Sequence, residues 1–131
     1  MSTSKIIEAA RELLGVPFVH QGRTLNGIDC IGVLVYCASK IGINLVDKPT
    51  YCYPENSHQL IDELKFQLDE VPVSSKQSGD FVVIAIGGVP RHLALLTPRG
   101  MIHTNDNVGK VVEQLISEAY EKRIHSVWRL K

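Results

Sequence analysis

The hydrophobic period of this sequence changes from helical to alternating partway along the chain, and that change limits the architectures open to it. Up to Leu68, apolar residues recur at the spacing of amphipathic helices. From Phe81 onward they fall in short runs typical of strands. Helices followed by an antiparallel meander define an α+β fold with segregated elements. We therefore expect N-terminal helices packed on a small antiparallel β-sheet.

Caps, glycines and prolines set the predicted limits of each element. Gly87-Gly-Val-Pro90 is expected to form a four-residue hairpin loop, and residues 15 to 28 and 43 to 56 are expected to be long loops. The predicted helices are Ser4 to Leu14, Cys30 to Ile41 with Ile31, Leu34, Val35 and Ala38 buried, a helix from a cap at Asn56 or Ser57 to Leu68, and Ser117 to Lys122; the predicted strands are Phe81 to Ile86, Arg91 to Leu96, Met101 to Thr104, Lys110 to Glu113 and His125 to Leu130.

Length and charge exclude several classes of function. A chain of 131 residues is expected to form one domain, spanning residues 1 to 131. Its 14 basic and 14 acidic side chains cancel, so the charge gives no general attraction to nucleic acid or to a membrane surface. The longest apolar run, Phe81 to Ile86, is far shorter than the ~20 residues of a membrane helix. Met1 to Glu8 lacks a secretory pattern, so we expect synthesis in the cytoplasm.

Three cysteines without a Cys-x-x-Cys pair argue against a disulfide framework and against a zinc ribbon. The segment Gly27-Ile-Asp-Cys-Ile-Gly32 places Cys30 in the first turn of a helix, directly after the predicted N-cap Asp29. The positive end of a helix lowers the pKa of a thiol and makes it nucleophilic. Alternatively, Cys30 is a small buried hydrophobic residue. Cys37 is expected in the core, and Cys52 in the second long loop has no assigned role.

Two histidines are predicted to meet on neighbouring strands. His92 shares one strand face with Ala94 and Leu96, and His103 lies on the next strand. There His103 could orient the ring of His92, which in turn could take the proton of a nearby thiol. Taken singly, each strand histidine could equally be a satisfied or half-exposed side chain.

The remaining histidines and a metal site are weaker candidates. Cys30, His92 and His103 are good zinc ligand types, but no two of them have the spacing of a tight ligand pair, so we predict no metal and no cofactor. His20 could line a site or cap a turn. His58 and His125 are expected to face solvent.

The chain resembles the NlpC-type cell-wall cysteine peptidases over nearly its whole length. The segments that carry the resemblance are, in order, Gly15-Val-Pro-Phe18, Gly27-Ile-Asp-Cys-Ile-Gly32, Gly79-Asp80-Phe-Val, Arg91-His92-Leu-Ala-Leu and Met101-Ile-His103. The resemblance implies a papain-like, circularly permuted fold. It also implies hydrolysis of an amide bond in the peptidoglycan stem peptide, typically between D-glutamate and the diamino acid that follows.

Residue roles follow from the same resemblance. Cys30 matches the nucleophile, His92 the general base and later acid, and His103 the orienting third group. Asp29 matches a residue that helps to hold the stem peptide, and Phe18 and His20 are further candidates for substrate binding. Phe18 and Ile31 replace a Tyr and a Ser found in many members, which removes two hydroxyls near the substrate.

The segments Phe18 to Arg23 and Arg123 to Arg129 resemble the phage and prophage branch of that family. This resemblance implies a tail-associated protein that acts at the cell wall as part of a virion or after lysis, with tail proteins as possible partners. Two alternatives stay open. The chain could be a structural component of a tail tip with little catalysis, or an acyltransferase or amidase with another substrate, because the triad sets the chemistry and the loops choose the substrate.

Overall fold

The structure is a computed structural model that describes residues 2–47 and 59–131. Four helices and eight strands are formed within these ranges. They are α1 Ser2–Glu12, β1 Arg23–Thr24, β2 Gly27–Ile28, α2 Cys30–Lys40, α3 Gln59–Gln67, β3 Asp69–Val71, β4 Phe81–Ile86, β5 Val89–Thr97, β6 Gly100–His103, β7 Val112–Gln114, α4 Glu118–Lys122 and β8 Ile124–Arg129, with a 3₁₀ turn at Val73–Ser75.

The first helix starts and ends two residues earlier than predicted. The amides of Leu13 and Leu14 bond the carbonyls of Ala10 and Arg11, so the last helical residues close into a turn. Gly15 follows with a φ of 88°, a conformation that ends a helix and that glycine adopts readily. Leu13 is fully buried beyond the end of α1, which explains why the apolar pattern ran past Glu12.

The second helix begins at Cys30 with Asp29 as its N-cap, as predicted. Its buried side differs from the expected one. Leu34 and Ala38 are buried, but Ile31 and Val35 are only half-buried. Val33 and Cys37 are buried instead, because the side of α2 that packs on the core is rotated toward these positions.

The third helix buries the predicted apolar side. Leu60 and Leu64 are buried within α3, and Leu68 is buried just after it. The predicted cap at Asn56 or Ser57 and most of the loop from 43 to 56 lie outside the described residues. The prediction of one domain over residues 1 to 131 stays a prediction.

Six antiparallel strands form the main sheet in the order β3-β8-β4-β5-β6-β7. Strands β4 to β7 are the predicted meander, and β8 returns to pair with the free edge of β4. The sequence analysis missed the short edge strand β3 and the ribbon of β1 and β2. Each has two or three residues, too few to show a strand period.

The hairpin between β4 and β5 has a two-residue loop rather than the predicted four-residue loop. Ile86 pairs with Val89, which leaves only Gly87 and Gly88 in the turn. Both glycines have positive φ, 60° and 79°, as the tightest hairpin turns require.

A β-bulge then interrupts the pairing of β4 with β5. Ile84 pairs with His92 and Ala85 pairs with Pro90, so Arg91 is the extra residue. A bulge changes the direction of the side chains beside it. This one immediately precedes His92.

Apolar side chains pack on both faces of the sheet. Leu93, Leu95 and Ile102 belong to the larger cluster, which also includes residues of α1, α2 and α3. Ala94, Leu96 and Met101 belong to the smaller cluster, against which Tyr120 of α4 packs. The predicted alternation of faces along β5 is therefore confirmed, and His92 and His103 alternate onto the face of the smaller cluster.

Candidate active site

Asp29 holds the N-terminus of α2 in place. Its Oδ1 accepts hydrogen bonds from the amide of Gly32 at 2.8 Å and from the guanidinium of Arg23 at 2.9 Å. Its Oδ2 accepts from the amide of Gln21 at 2.9 Å. The carboxylate is fully buried, so the Arg23 charge beside it offsets much of the cost of burial.

Arg23 extends this network to a second carboxylate. Its Nε donates to Asp47 at 2.7 Å while the same guanidinium contacts Asp29. The loop before α2 and the segment after it are thus held together through one arginine. Sequence analysis did not single out Arg23, because only the folded loop brings it back to Asp29.

Glycines let the loop pack against the first turn of α2. A Cβ on Gly32 would lie 2.5 Å from the carbonyl oxygen of Gly22 and 2.5 Å from the Ile28 side chain. A Cβ on Gly22 would lie 2.5 Å from the carbonyl oxygen of Gly27. Backbone atoms cannot retract easily, so the glycines of this motif are needed for close packing around Cys30.

The segment that contains Phe18 ties this loop to the sheet edge. The amide of Phe18 bonds the carbonyl of Gly109 at 2.9 Å, and the amide of Val111 bonds the carbonyl of Val16 at 2.9 Å. On its other side, the carbonyl of Pro17 accepts from the amide of Ile28. The residues that lead into Cys30 therefore lie beside the segment that continues into β7.

Cys30 is buried, with 5% of its surface exposed. It is the first residue of an 11-residue helix, where the N-terminal amides and the macrodipole favour an anion. Its side chain belongs to the larger cluster. Its role as nucleophile stays a prediction.

His92 and His103 meet as predicted. His92 Nε2 lies 2.8 Å from His103 Nδ1, and the two rings are edge to face with centroids 5.0 Å apart. Both side chains are buried. His103 also contacts the ring of Tyr120 and bonds Gln114 Oε1 through its Nε2 at 3.0 Å.

Both rings favour the neutral form. Burial, followed by the charges of His103 and Arg91, lowers the pKa of His92 to about 3. Burial also lowers the pKa of His103, against the opposing effect of its hydrogen bond to Gln114. A neutral ring has one nitrogen with a lone pair, which is what a base needs.

The structure also places the predicted substrate-binding residues. Asp29 is fully buried, Phe18 is half-buried and His20 is exposed. Their roles toward a substrate stay predictions. Gln114 and Tyr120, which contact His103, were missed by the sequence analysis, which ended the predicted strand at Glu113.

Among the other candidates, Cys37 is fully buried in the larger cluster, as expected. Burial and the nearby Glu12 raise the pKa of its thiol to about 12, so it stays protonated. His125 is exposed, as expected, and bonds the hydroxyl of Ser126. Cys52 and His58 lie outside the described residues.

Within residues 2–47 and 59–131, no group of three His, Cys, Asp or Glu side chains is arranged to hold a metal ion. In the same ranges, no helix has the length and hydrophobicity needed to cross a membrane.

Helices packed on an antiparallel sheet, with a cysteine at a helix N-terminus and paired histidines on adjacent strands, define an α+β protein of the papain-like class. The model of the NlpC/P60 family matches residues 15–129, and the chain belongs to that family. No curated protein sequence is significantly similar to this chain.

Solved structures share this fold. A NlpC/P60 family protein from Bacillus cereus has a TM-score of 0.73 at 22% identity, covering 98% of this chain and 40% of its own. The peptidoglycan hydrolase RipB from Mycobacterium tuberculosis has a TM-score of 0.72 at 21% identity, covering 99% of this chain and 65% of its own. The P60 domain of an antigen from M. avium subspecies paratuberculosis has a TM-score of 0.71 at 17% identity, covering 98% and 93%. This chain thus spans less than two thirds of the B. cereus protein and of RipB.

Proposed function

We propose that this protein is a cysteine peptidase that hydrolyses an amide bond in the peptidoglycan stem peptide. The observation that carries the proposal is the 2.8 Å contact between His92 and His103 in a chain that also places Cys30 at the N-terminus of α2. Membership of the NlpC/P60 family and the similarity to RipB, a peptidoglycan hydrolase, support the class of substrate.

In this proposal, Cys30, His92 and His103 form the triad. His92 takes the thiol proton of Cys30, and the thiolate attacks the carbonyl carbon of the stem peptide. Backbone amides at the N-terminus of α2 stabilise the oxyanion. His92 then gives the proton to the leaving amine. Water, with its proton taken by His92, hydrolyses the acyl-enzyme and restores the thiol.

The bond proposed to be cut joins D-glutamate to the diamino acid that follows it. Asp29, Phe18 and His20 are proposed to contact the peptide. Because Asp29 is already bonded to Arg23 and to two backbone amides, a substrate amine at this position would compete with Arg23 for the carboxylate.

We further propose that the protein is phage or prophage encoded and acts at the cell wall as part of a virion or after lysis, with tail proteins as partners. The support is the resemblance of Phe18 to Arg23 and of Arg123 to Arg129 to that branch. Immunodetection on purified particles from an induced lysogen of the source strain tests this part. Label on tail structures supports it, and particles that lack the protein contradict the virion assignment.

The catalytic part of the proposal is tested with purified peptidoglycan and two alanine variants. Cys30→Ala should abolish the release of soluble fragments, because it removes the nucleophile. Cys37→Ala is the matched control on the same helix and should still release them, since that buried thiol is protonated and outside the proposed triad. Undiminished release by Cys30→Ala would rule the proposal out.

A further inference from the structure

We propose that Gln114 is a positioning residue that sets the proton arrangement of the histidine pair, so that His92 presents its Nδ1 as the base to Cys30. This inference rests on the proposed function for the identity of the proton donor. The arrangement of the ring protons themselves follows from the contacts of the described side chains.

At the outer end of the histidine pair, His103 contacts the side chain of Gln114. The Oε1 atom of Gln114 can only accept a hydrogen bond, and it lies 3.0 Å from His103 Nε2. His103 Nε2 must therefore carry a proton. A neutral imidazole carries a proton on one nitrogen only, so His103 Nδ1 has the lone pair.

The proton on the inner ring, His92, is fixed in the same way. His103 Nδ1 lies 2.8 Å from His92 Nε2, and with its lone pair it accepts a hydrogen bond. His92 Nε2 must therefore carry the proton of that bond. Neutral His92 is left with the lone pair on Nδ1, the only atom of its ring that can accept a proton from a thiol. The lowered pKa values of both rings agree with this neutral arrangement.

Reversing the amide of Gln114 would reverse the whole chain of hydrogen bonds. An Nε2 donor facing His103 would require the lone pair on His103 Nε2 and the proton on its Nδ1. That proton would point at His92 Nε2, and His92 would carry its own proton on Nδ1. In that state His92 could not take the proton of Cys30, so the side chain of Gln114 selects between an active and an inactive tautomer.

The backbone around Gln114 is held from two directions. In the pairing of β6 with β7, His103 is opposite Val112, and Gln114 is its diagonal neighbour on the same face. On the other face, Glu113 accepts hydrogen bonds from Arg11 and Thr97.

Gly100 allows the end of β7 to approach closely. It has a φ of 143°, and a Cβ there would lie 2.1 Å from the carbonyl oxygen of Gln114. The main chain of Gln114 is therefore held close to β6, and from there its side chain reaches His103.

In the proton transfer, the Sγ–H bond of Cys30 breaks and an Nδ1–H bond of His92 forms. The proton on His92 Nε2 stays in its hydrogen bond to His103 Nδ1. The positive charge that develops on His92 is thus stabilised by two consecutive hydrogen bonds, the second of which ends on the side-chain Oε1 of Gln114. No proton needs to cross to His103 or Gln114. His92 Nδ1 gives its proton to the leaving amine, takes one from the water that hydrolyses the acyl-enzyme, and returns that proton to the Cys30 sulfur.

Tautomers are measured by ¹⁵N NMR of the imidazole nitrogens in the full-length protein without substrate. We expect the wild type to show a protonated Nε2 and a lone-pair Nδ1 on His92. Gln114→Glu, which can only accept, should keep this pattern. Gln114→Leu should lose it and give mixed tautomers. Gln67→Leu is the matched control, since Gln67 at the end of α3 bonds only the backbone of Val46 among the contacts described and lies outside the histidine pair.

The kinetic counterpart is measured on purified peptidoglycan. General acid–base catalysis contributes about 10²–10⁴-fold to a rate, so loss of the active tautomer in Gln114→Leu should lower kcat by about 10- to 100-fold with KM unchanged. Gln114→Glu should recover most of that loss, which a purely structural role for the side chain does not predict.

The outcomes separate the two proposals. A wild-type His92 protonated on Nδ1, or a Gln114→Leu variant with wild-type tautomers, would overturn the role of Gln114. A wild type with the expected tautomers but no hydrolysis of peptidoglycan would overturn the proposed function alone, because the tautomer measurement needs no substrate.

Discussion

Among single residues, Asp29 holds the backbone directly beside the proposed nucleophile. It accepts from Gly32, Gln21 and Arg23 while fully buried. An N-cap of this kind stabilises a helix by about 1 kcal/mol, and the Arg23 charge makes its burial tolerable. These hydrogen bonds fix the position of Cys30 at the start of α2. They do so independently of the substrate contact proposed for Asp29.

The histidine pair predicts how stability depends on pH. Histidine in an unfolded chain has a pKa of about 6.5, whereas in the folded protein the pKa of His92 is about 3. Above pH 6.5 both states are neutral at this ring. As the pH falls toward 3, the unfolded state takes up a proton that the folded state does not. The free energy of unfolding should therefore fall, by up to about 1.4 kcal/mol per pH unit for this group.

Denaturant unfolding of the wild type and of His92→Gln between pH 7.5 and pH 5 measures this effect. The variant should lose stability less steeply with falling pH, because it lacks one of the two buried rings. Equal slopes for the two proteins would show that His92 does not resist protonation in the folded state.

Among helices and strands, the sequence predicted the features that depend on neighbouring residues in the chain. The cap and first residue of α2, the four strands of the meander and the alternation of faces along β5 all follow from periodicity and capping residues. The contact of His92 with His103 followed from placing the two residues on adjacent antiparallel strands.

What could not be predicted depends on register and on contacts distant in sequence. The bulge at Arg91 has no residue pattern of its own, although the Gly87-Gly88 pair is typical of the two-residue turn that the pairing of Ile86 with Val89 makes. Gln114 reaches His103 only because β6 and β7 pair in one register. Arg23 reaches Asp29 only after the loop has folded back on α2.

The packing of that loop predicts an unusual effect for Gly32→Ala. In a helix, replacing Gly by Ala ordinarily stabilises by up to about 1 kcal/mol. Here the new Cβ would collide with the Gly22 carbonyl and with Ile28, and overpacking of this kind costs about 1–3 kcal/mol. We expect lower stability in thermal unfolding and slower alkylation of Cys30 by iodoacetamide, because the loop before it must shift.

Gly87→Ala is the matched control for this variant. Gly87 has a positive φ of 60° but open space around its Cβ position. That substitution should lower stability by about 1–2 kcal/mol and leave the alkylation rate of Cys30 unchanged. Gly32→Ala with stability and alkylation equal to the wild type would contradict the close packing of the loop.

At the scale of the whole molecule, two packing regions meet at one sheet. The larger cluster includes residues of three helices, with Cys30 at the start of α2, and the smaller one lies on the face toward which His92 and His103 alternate. The segment around Phe18 bonds both Ile28 and the residues before β7, which connects the start of α2 to the histidine-bearing end of the sheet. The proposed reaction uses Cys30 from one packing region and the two histidines from the other. It therefore requires that both regions be folded together.

Cleavage of the stem peptide by Cys30 is measured by mass spectrometry of muropeptides from purified peptidoglycan, digested with the wild type and with Cys30→Ala. We expect wild-type products cut between D-glutamate and the diamino acid, with a new amino group on the latter, and an undigested pattern for the variant. Unchanged muropeptides after wild-type digestion, or cleavage that persists in Cys30→Ala, would contradict it.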